Sequence, residues 1–227
     1  IVLTLLNGSL ERGDIAKKIN RMVGGDLSAY LDNLVASGFI SRDYTWHIKD
    51  KKLSKLSRYR LSDNYLRFYL KYIKPQKNII ENNKYKVLTL SNLEGWSSML
   101  GFQFENLVVS NKERLYKCLN ISCDDVERAG PFFQRKTPKA QGCQVDFLIQ
   151  TKTTVLYVCE IKFSRNEIKR DIIREMERKQ SAMSVPKGFS WLPVLIHVNG
   201  VHDSVVDSNY FFRIINFSDL LNDRQRH

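Results

Sequence analysis

Three charged residues lie in a strongly apolar part of the sequence. Asp146 follows Val145 in one apolar run, and Glu160 and Lys162 flank Ile161 in the next, beyond a polar turn at residues 150–154. Side chains alternate along a strand, so Glu160 and Lys162 are predicted to face the same side of a sheet. Pairing of the two runs as a hairpin would bring Asp146 to the same edge.

Two converging carboxylates and an ammonium group predict a particular chemistry. The carboxylates repel each other unless a cation neutralises them, and hard oxygen ligands suit Mg²⁺ or Mn²⁺. Such a metal can activate water and stabilise the charge that develops on an attacked phosphate. Lys162 would orient the nucleophile or neutralise that charge. Phosphodiester hydrolysis is therefore the predicted chemistry, and an ion pair on a solvated strand edge is the alternative.

The segments around these residues have the periodicities of an α/β (α+β) domain. We predict a helix over residues 93–119, strands over 126–134, 143–150 and 153–163, a charged helix over 165–184, strands over 194–198 and 210–217, and a helical turn at 219–221. The order α-β-β-β-α-β predicts a central mixed sheet flanked by helices. Glu105 lies beside the apolar stripe of the first helix.

This order, with its charged residues, resembles the PD-(D/E)XK nuclease superfamily. The matching residues are Asp146 on the second strand, Glu160-Ile161-Lys162 on the third, and Glu105 on the helix; Val145 stands where the motif's Pro would be. The resemblance implies a restriction-endonuclease-like domain with Asp146, Glu160 and Glu105 as metal ligands. It also implies that Lys162 is catalytic, Mg²⁺ or Mn²⁺ is the cofactor and a DNA endonuclease is the candidate activity.

Residues 1–62 predict three short helices followed by a hairpin. Asp14 is the expected cap of the second helix, residues 27–38 form the third, and strands begin at Phe39 and Ser57. This part resembles a winged helix-turn-helix, in which the third helix enters the major groove and the wing contacts phosphates. The exposed face of the third helix carries no Arg or Lys, so packing against another domain remains an alternative to DNA binding.

Charge distribution points to a polyanionic partner. The net charge is +12, and residues 1–92 hold 17 Lys and Arg against 8 Asp and Glu. Basic domains commonly meet nucleic acid, although a solvated basic surface is the alternative. The predicted nucleic-acid contacts, most of them in the hairpin, are Lys49, Lys51, Lys52, Lys55, Arg58 and Arg165.

Composition restricts the protein class and the compartment. No apolar run approaches the roughly 20 residues that cross a bilayer, so we expect a soluble protein without membrane contact. Cys118, Cys123, Cys143 and Cys159 show no Cys-x-x-Cys spacing and are too few for a disulfide framework. Reduced thiols and a cytoplasmic location are expected. The first residue, Ile1, suggests a piece of a longer polypeptide.

Nearly the whole sequence resembles the C-terminal half of archaeal-type AAA ATPases. The resemblance is carried by residues 59–69, 101–105, 145–146 and 160–162. It implies a winged helix followed by a nuclease-like domain, with an ATPase domain of the same polypeptide as partner. The sequence patterns place the winged helix at 1–62, a helical connector at 63–92 and the nuclease-like domain at 93–227. No Gly-x-x-x-x-Gly-Lys-Ser/Thr occurs, so no ATP site is expected here. A metal-dependent nuclease, a DNA-binding module and a regulatory or assembly domain are the competing hypotheses, with oligomerisation left open.

Overall fold

The computed structural model describes residues 1–86, 89–138 and 140–221. They form two compact units, one of Ile1–Tyr44 and Lys55–Asn106 and the other of Thr45–Ser54 and Leu107–His227. Within the described ranges, every helix is too short or too polar to span a bilayer. The division into 1–62, 63–92 and 93–227, which follows from the sequence patterns, stays a prediction.

The first unit begins with the helix and hairpin order predicted from the sequence. A 3-10 turn at Val2–Leu5 precedes the helices α1 (Arg12–Lys18) and α2 (Gly25–Ala36) and the antiparallel strands β1 (Ile40–Trp46) and β2 (Leu53–Leu61). Their apolar faces share one buried core, which contains Leu5, Ile15, Leu27, Leu31, Ile40, Tyr59 and Leu61. The predicted cap at Asp14 is wrong, because α1 starts at Arg12 and Asp14 lies in its first turn.

A run of short helical segments continues the first unit. It comprises α3 (Asn64–Phe68), a π turn (Tyr69–Ile73), 3-10 turns at Lys74–Gln76 and Leu90–Asn92, α4 (Lys77–Glu81) and α5 (Trp96–Ser110). The sequence predicts Asp63 as the cap of an aromatic-rich helix over 65–73. The cap is confirmed, since the Asp63 Oδ1 accepts the Leu66 N–H at 2.8 Å. Pro75 is the residue at which the sequence predicts that helix to stop. In the structure the helical path continues, because Pro75 lies near the start of a 3-10 turn, where a missing N–H is tolerated.

The second unit contains the predicted α-β-β-β-α-β order. Its elements are α6 (Lys112–Cys118), a 3-10 turn (Cys123–Asp125), β3 (Val126–Gln134), β4 (Cys143–Thr151), β5 (Val155–Lys162), α7 (Asp171–Ala182), β6 (Ser190–His197), α8 (Asp203–Val206), β7 (Arg213–Asn216) and α9 (Phe217–Leu221). The sheet order is β3-β4-β5-β6-β7, antiparallel from β3 to β5 and parallel from β5 to β7. The predicted fold class, with its mixed sheet, is confirmed.

Two helix predictions differ from the structure. The single helix expected over 93–119 is two helices, α5 and α6, which meet at Asn111. The helix α7 begins at Asp171 instead of residue 165, because the chain before it is held in an extended bridge between Ile168 and Val201. Charge periodicity therefore located α7 correctly but extended its start too far.

A β-bulge interrupts β4 at Asp146. Gly130 pairs with Leu148 and Phe132 pairs with Val145, so Pro131 on β3 faces both Asp146 and Phe147. Proline has no N–H to offer the ladder, and a bulge of this kind redirects the side chains of the strand that carries the extra residue. Val145 and Leu148 both enter the same buried core as a result, and Asp146 lies between them.

The tip of the β1–β2 hairpin is built into the core of the second unit. Trp46 and Ile48 pack in the same buried cluster as Phe132 and Leu148. Gln150, with 0% of its surface exposed, accepts the Trp46 Nε1–H at 2.7 Å and donates to the Ile48 carbonyl at 2.9 Å. One amide therefore satisfies two buried polar groups of the tip.

Replacing Gln150 with Leu removes both hydrogen bonds and leaves an indole N–H and a carbonyl buried without those partners. Because each such group costs about 1–3 kcal/mol, the free energy of unfolding should fall by roughly 2–4 kcal/mol in urea denaturation followed by circular dichroism. Gln180→Leu, at an exposed position of α7, is the matched control and should change stability by less than about 0.5 kcal/mol. Equal stability of Gln150→Leu and wild type would contradict this role.

Candidate active site

Glu160 and Lys162 lie at the carboxyl end of β5 and face the same side of the sheet. Glu160 is only 1% exposed, and its Oε1 lies 2.9 Å from the Lys162 Nζ. The Lys162 side chain is 33% exposed, so it is the member of the pair that reaches solvent. The two residues are adjacent on the same side of the strand, as strand alternation predicts.

Asp146 is held beside this pair by the end of the β4–β5 ladder. Phe147 pairs with Cys159, and Asp146 and Glu160 are the next residues on the two antiparallel strands. The Asp146 Oδ2 accepts the N–H of Ile161 at 2.8 Å, which takes the place of a further ladder hydrogen bond. The structure therefore brings together Asp146, Glu160 and Lys162, three of the residues predicted from the sequence.

The helix α7 adds two charged residues that the sequence prediction missed. The Lys179 Nζ contacts the Glu160 Oε2. The Lys162 Nζ donates a hydrogen bond to the Glu175 Oε1 at 3.0 Å. Lys179 and Glu175 lie 3.9 Å apart at i and i+4. Their positions follow from the buried residues Ile172 and Met176, which hold this face of α7 against the core.

The signal for these two residues was present in the helical periodicity. Residues 172, 175, 176 and 179 share one face of a helix, so Glu175 and Lys179 belong with the buried stripe and not with the solvent face. The alternating charges of residues 165–184 instead predict an exposed helix with ion pairs along it, and the sequence offers Arg165 and Gln180 as candidates for a phosphate-binding cleft. Both of those residues are exposed.

Burial dominates the electrostatics of Glu160. The pKa of Glu160 is raised to about 7, because loss of hydration and the Asp146 charge raise it by more than Lys179 and Lys162 lower it. Burial alone would lower the pKa of Lys162 and Lys179, but the neighbouring carboxylates reverse this and raise both. Burial would raise the pKa of Glu175, but the hydrogen bond from Lys162 and the charges of both lysines lower it. Of these two glutamates, Glu160 is therefore the one whose charged form its surroundings disfavour.

Glu105 lies in the part of α5 that belongs to the first unit. Burial and the Arg60 charge lower the pKa of Arg67 to about 10, and the Glu105 charge acts in the opposite direction. Glu105 thus acts electrostatically on Arg67. Its role as an auxiliary metal ligand stays a prediction.

The predicted nucleic-acid contacts have different surroundings. Lys49, Lys52, Lys55 and Arg165 are exposed, and Arg58 is half-buried. Lys51 forms an ion pair with Glu127 at 3.1 Å in the second unit, which reduces the charge it offers to a partner. Their role in nucleic-acid binding stays a prediction.

The donor chemistry of Asp146 and Glu160 fits a hard divalent cation. Mg²⁺ is commonly bound by one or two carboxylates, with water and substrate phosphate completing its shell. Across residues 1–86, 89–138 and 140–221, no group of three or more His, Cys, Asp and Glu is arranged to hold a metal. The two carboxylates match the smaller donor set, but both oxygens of Glu160 already contact ammonium groups.

Comparisons with known proteins add one short sequence match and two distant structural likenesses. No protein-family model matches the chain. An uncharacterized protein of Methanocaldococcus jannaschii, MJECL04, is 34% identical over 82 residues, which cover 36% of this chain and 18% of that protein. The chain therefore matches less than a fifth of the relative's length.

Both solved structures also extend well beyond the matched region. A repair endonuclease from Pyrococcus abyssi is similar over 49% of this chain and 43% of its own, with 14% identity and a TM-score of 0.31. Protein VC1899 from Vibrio cholerae is similar over 96% of this chain and 47% of its own, with 10% identity and a TM-score of 0.40. At these scores neither likeness supports an inference about activity.

The raised pKa of Glu160 predicts a specific pH dependence of stability. Between its ordinary value of 4.5 and about 7, the folded protein retains a proton that the unfolded chain releases. The free energy of unfolding should therefore decrease as pH rises through this window, by up to roughly 3 kcal/mol. Urea denaturation in EDTA at a series of pH values measures this slope.

Glu160→Gln cannot titrate and should show a flatter profile than wild type across the same pH window. Glu177→Gln, at an exposed position of α7, is the matched control and should keep the wild-type slope. Identical slopes for Glu160→Gln and wild type would show that Glu160 does not carry the shift.

Proposed function

We propose that this chain is a DNA-associated module whose second unit carries a metal-dependent, nuclease-like phosphodiesterase site. One observation carries the proposal: Asp146 and Glu160 lie side by side at the end of β5 with Lys162 next to them. Asp146 and Glu160 would hold Mg²⁺ or Mn²⁺, with Glu105 as the auxiliary ligand that the family resemblance implies. When bound, the metal supplies an activated water and a Lewis acid for the phosphate.

The chain's own side chains have distinct tasks in this proposal. Lys162 stays protonated at neutral pH, because Glu160 and Glu175 raise its pKa, and its exposure lets it neutralise charge on a phosphate. Glu175 fixes the position of Lys162 through its 3.0 Å hydrogen bond. The Ile161 N–H orients the Asp146 carboxylate toward β5.

A second candidate function is a non-catalytic DNA-binding, regulatory or assembly domain that retains a nuclease fold. The observation in its favour is that lysines pair with both oxygens of Glu160. In either case we place the chain in the C-terminal part of an ATPase, with the ATPase domain of the same polypeptide as partner. Four free cysteine thiols support a cytoplasmic location.

Asp146→Asn tests catalysis most directly. It removes the negative charge while keeping the size of the side chain, so cleavage of DNA with Mg²⁺ or Mn²⁺ should fall by roughly 100-fold or more. Single-stranded, duplex and branched substrates should be assayed, with circular dichroism to verify the fold. Asp207→Asn, an exposed aspartate of the second unit, is the control and should cleave like wild type. Absence of cleavage of every DNA form by the wild type would exclude the catalytic proposal.

Exposed lysines of the hairpin test DNA association without cleavage. Lys49, Lys52 and Lys55 form no ion pair within the residues that the structure describes. Replacing all three with Gln should weaken DNA binding in EDTA and reduce the slope of log K against log salt by about 1 per lysine that contacts phosphate. Fluorescence anisotropy over a salt series measures both quantities.

Lys77→Gln is the matched control for the hairpin lysines, because Lys77 is exposed but paired with Glu81 at 3.6 Å. Its salt slope should equal that of wild type. Negligible DNA affinity of the wild type even at low salt would favour the regulatory or assembly function.

A further inference from the structure

We propose that Lys179 is an internal cation that holds the place of the metal and must leave Glu160 before a divalent cation binds. The inference rests on the proposed function, since it concerns how the same two carboxylates acquire their metal. It assigns to α7 the control of metal entry. Lys179 lies outside the residue set implied by the family resemblance.

The contacts of Glu160 show what occupies its two oxygens. The Lys162 Nζ lies 2.9 Å from the Glu160 Oε1, and the Lys179 Nζ contacts the Glu160 Oε2. The two lysines differ in origin, since Lys162 belongs to the same strand as Glu160 and Lys179 reaches in from α7. If Asp146 and Glu160 held a metal, Glu160 would have to offer an oxygen that an ammonium group now contacts.

Lys179 is the lysine that neutralises both carboxylates. Its ammonium group contacts Glu160 directly, and Asp146 acts on it electrostatically together with Glu160. The Lys179 side chain is only 17% exposed, so its charge is part of the buried cluster. A positive charge that interacts with the buried Glu160 and the half-buried Asp146 fills the electrostatic role of a bound divalent cation.

Glu175 provides a second position for the displaced ammonium. It lies one helical turn before Lys179, with its Oε1 already 3.9 Å from the Lys179 Nζ. The lysine side chain has a flexible four-carbon stem. A small rotation of this stem moves the Lys179 ammonium group from Glu160 to Glu175, so the charge keeps an acidic partner. Breaking a buried ion pair without such a replacement is strongly unfavourable. Glu175 therefore makes displacement of Lys179 feasible.

Binding of Mn²⁺ alone, without nucleic acid, tests whether Lys179 competes with the metal for Glu160. Lys179→Met preserves the length and apolar stem of the side chain and removes the competing charge. The dissociation constant for Mn²⁺, measured by electron paramagnetic resonance or titration calorimetry, should decrease by about tenfold or more. Adding Asp146→Asn to Lys179→Met should abolish the gain, because the tighter site requires that carboxylate.

Glu175→Gln tests the second position. It should weaken Mn²⁺ binding when Lys179 is present and have a smaller effect in the Lys179→Met background, where no ammonium needs a new partner. Equal effects in the two backgrounds would contradict the exchange. Lys187→Met, an exposed lysine after α7, is the matched control and should bind Mn²⁺ like wild type.

The outcomes separate this inference from the proposed function. Equal Mn²⁺ affinity of wild type and Lys179→Met, with binding lost in Asp146→Asn, would overturn the role of Lys179 and leave the metal site intact. Absence of Mn²⁺ binding in both proteins would overturn the metal site as well. Circular dichroism verifies folding, and Lys179→Gln, which also removes the charge, replaces Lys179→Met if the latter does not fold.

Discussion

The buried carboxylate of Glu160 is the constraint on which the second unit depends. A carboxylate removed from water in an apolar sheet is costly unless opposite charges and hydrogen bonds compensate for the lost hydration. Lys162 and Lys179 supply those charges, and Lys179 can do so only because Ile172 and Met176 fix α7 over the sheet. The packing of a helix and the neutralisation of a charge are thus one structural requirement.

The same requirement links stability to the proposed chemistry. Asp146 raises the pKa of Glu160, so the pair of carboxylates is unfavourable by itself, and that imbalance is what attracts a cation. Functional sites commonly retain such local conflicts, which the rest of the fold must offset. Here the offset is supplied by two lysines. In our proposal, replacement of Lys179 by a divalent cation would convert this closed cluster into a metal-binding site.

Strand alternation and helix capping made much of this fold predictable. The bounds of β3, the shared face of Glu160 and Lys162, and the cap at Asp63 follow from local physics that acts over a few residues. Predictions failed where neighbouring elements decide the outcome. The extended bridge of Ile168 shortened α7 relative to the helix predicted from charge periodicity. The core contacts of Trp46 and Ile48 also depend on distant elements, and no local pattern specifies them.

By itself the sequence determined the order of the elements and the face on which each charged residue of β5 lies, because periodicity and alternation are properties of single segments. Only the tertiary structure decided which charges meet. The bulge opposite Pro131 turns Asp146 toward the end of β5, and the packing of α7 delivers Glu175 and Lys179 to Glu160. These contacts join residues that are distant along the chain, so no local pattern specifies them.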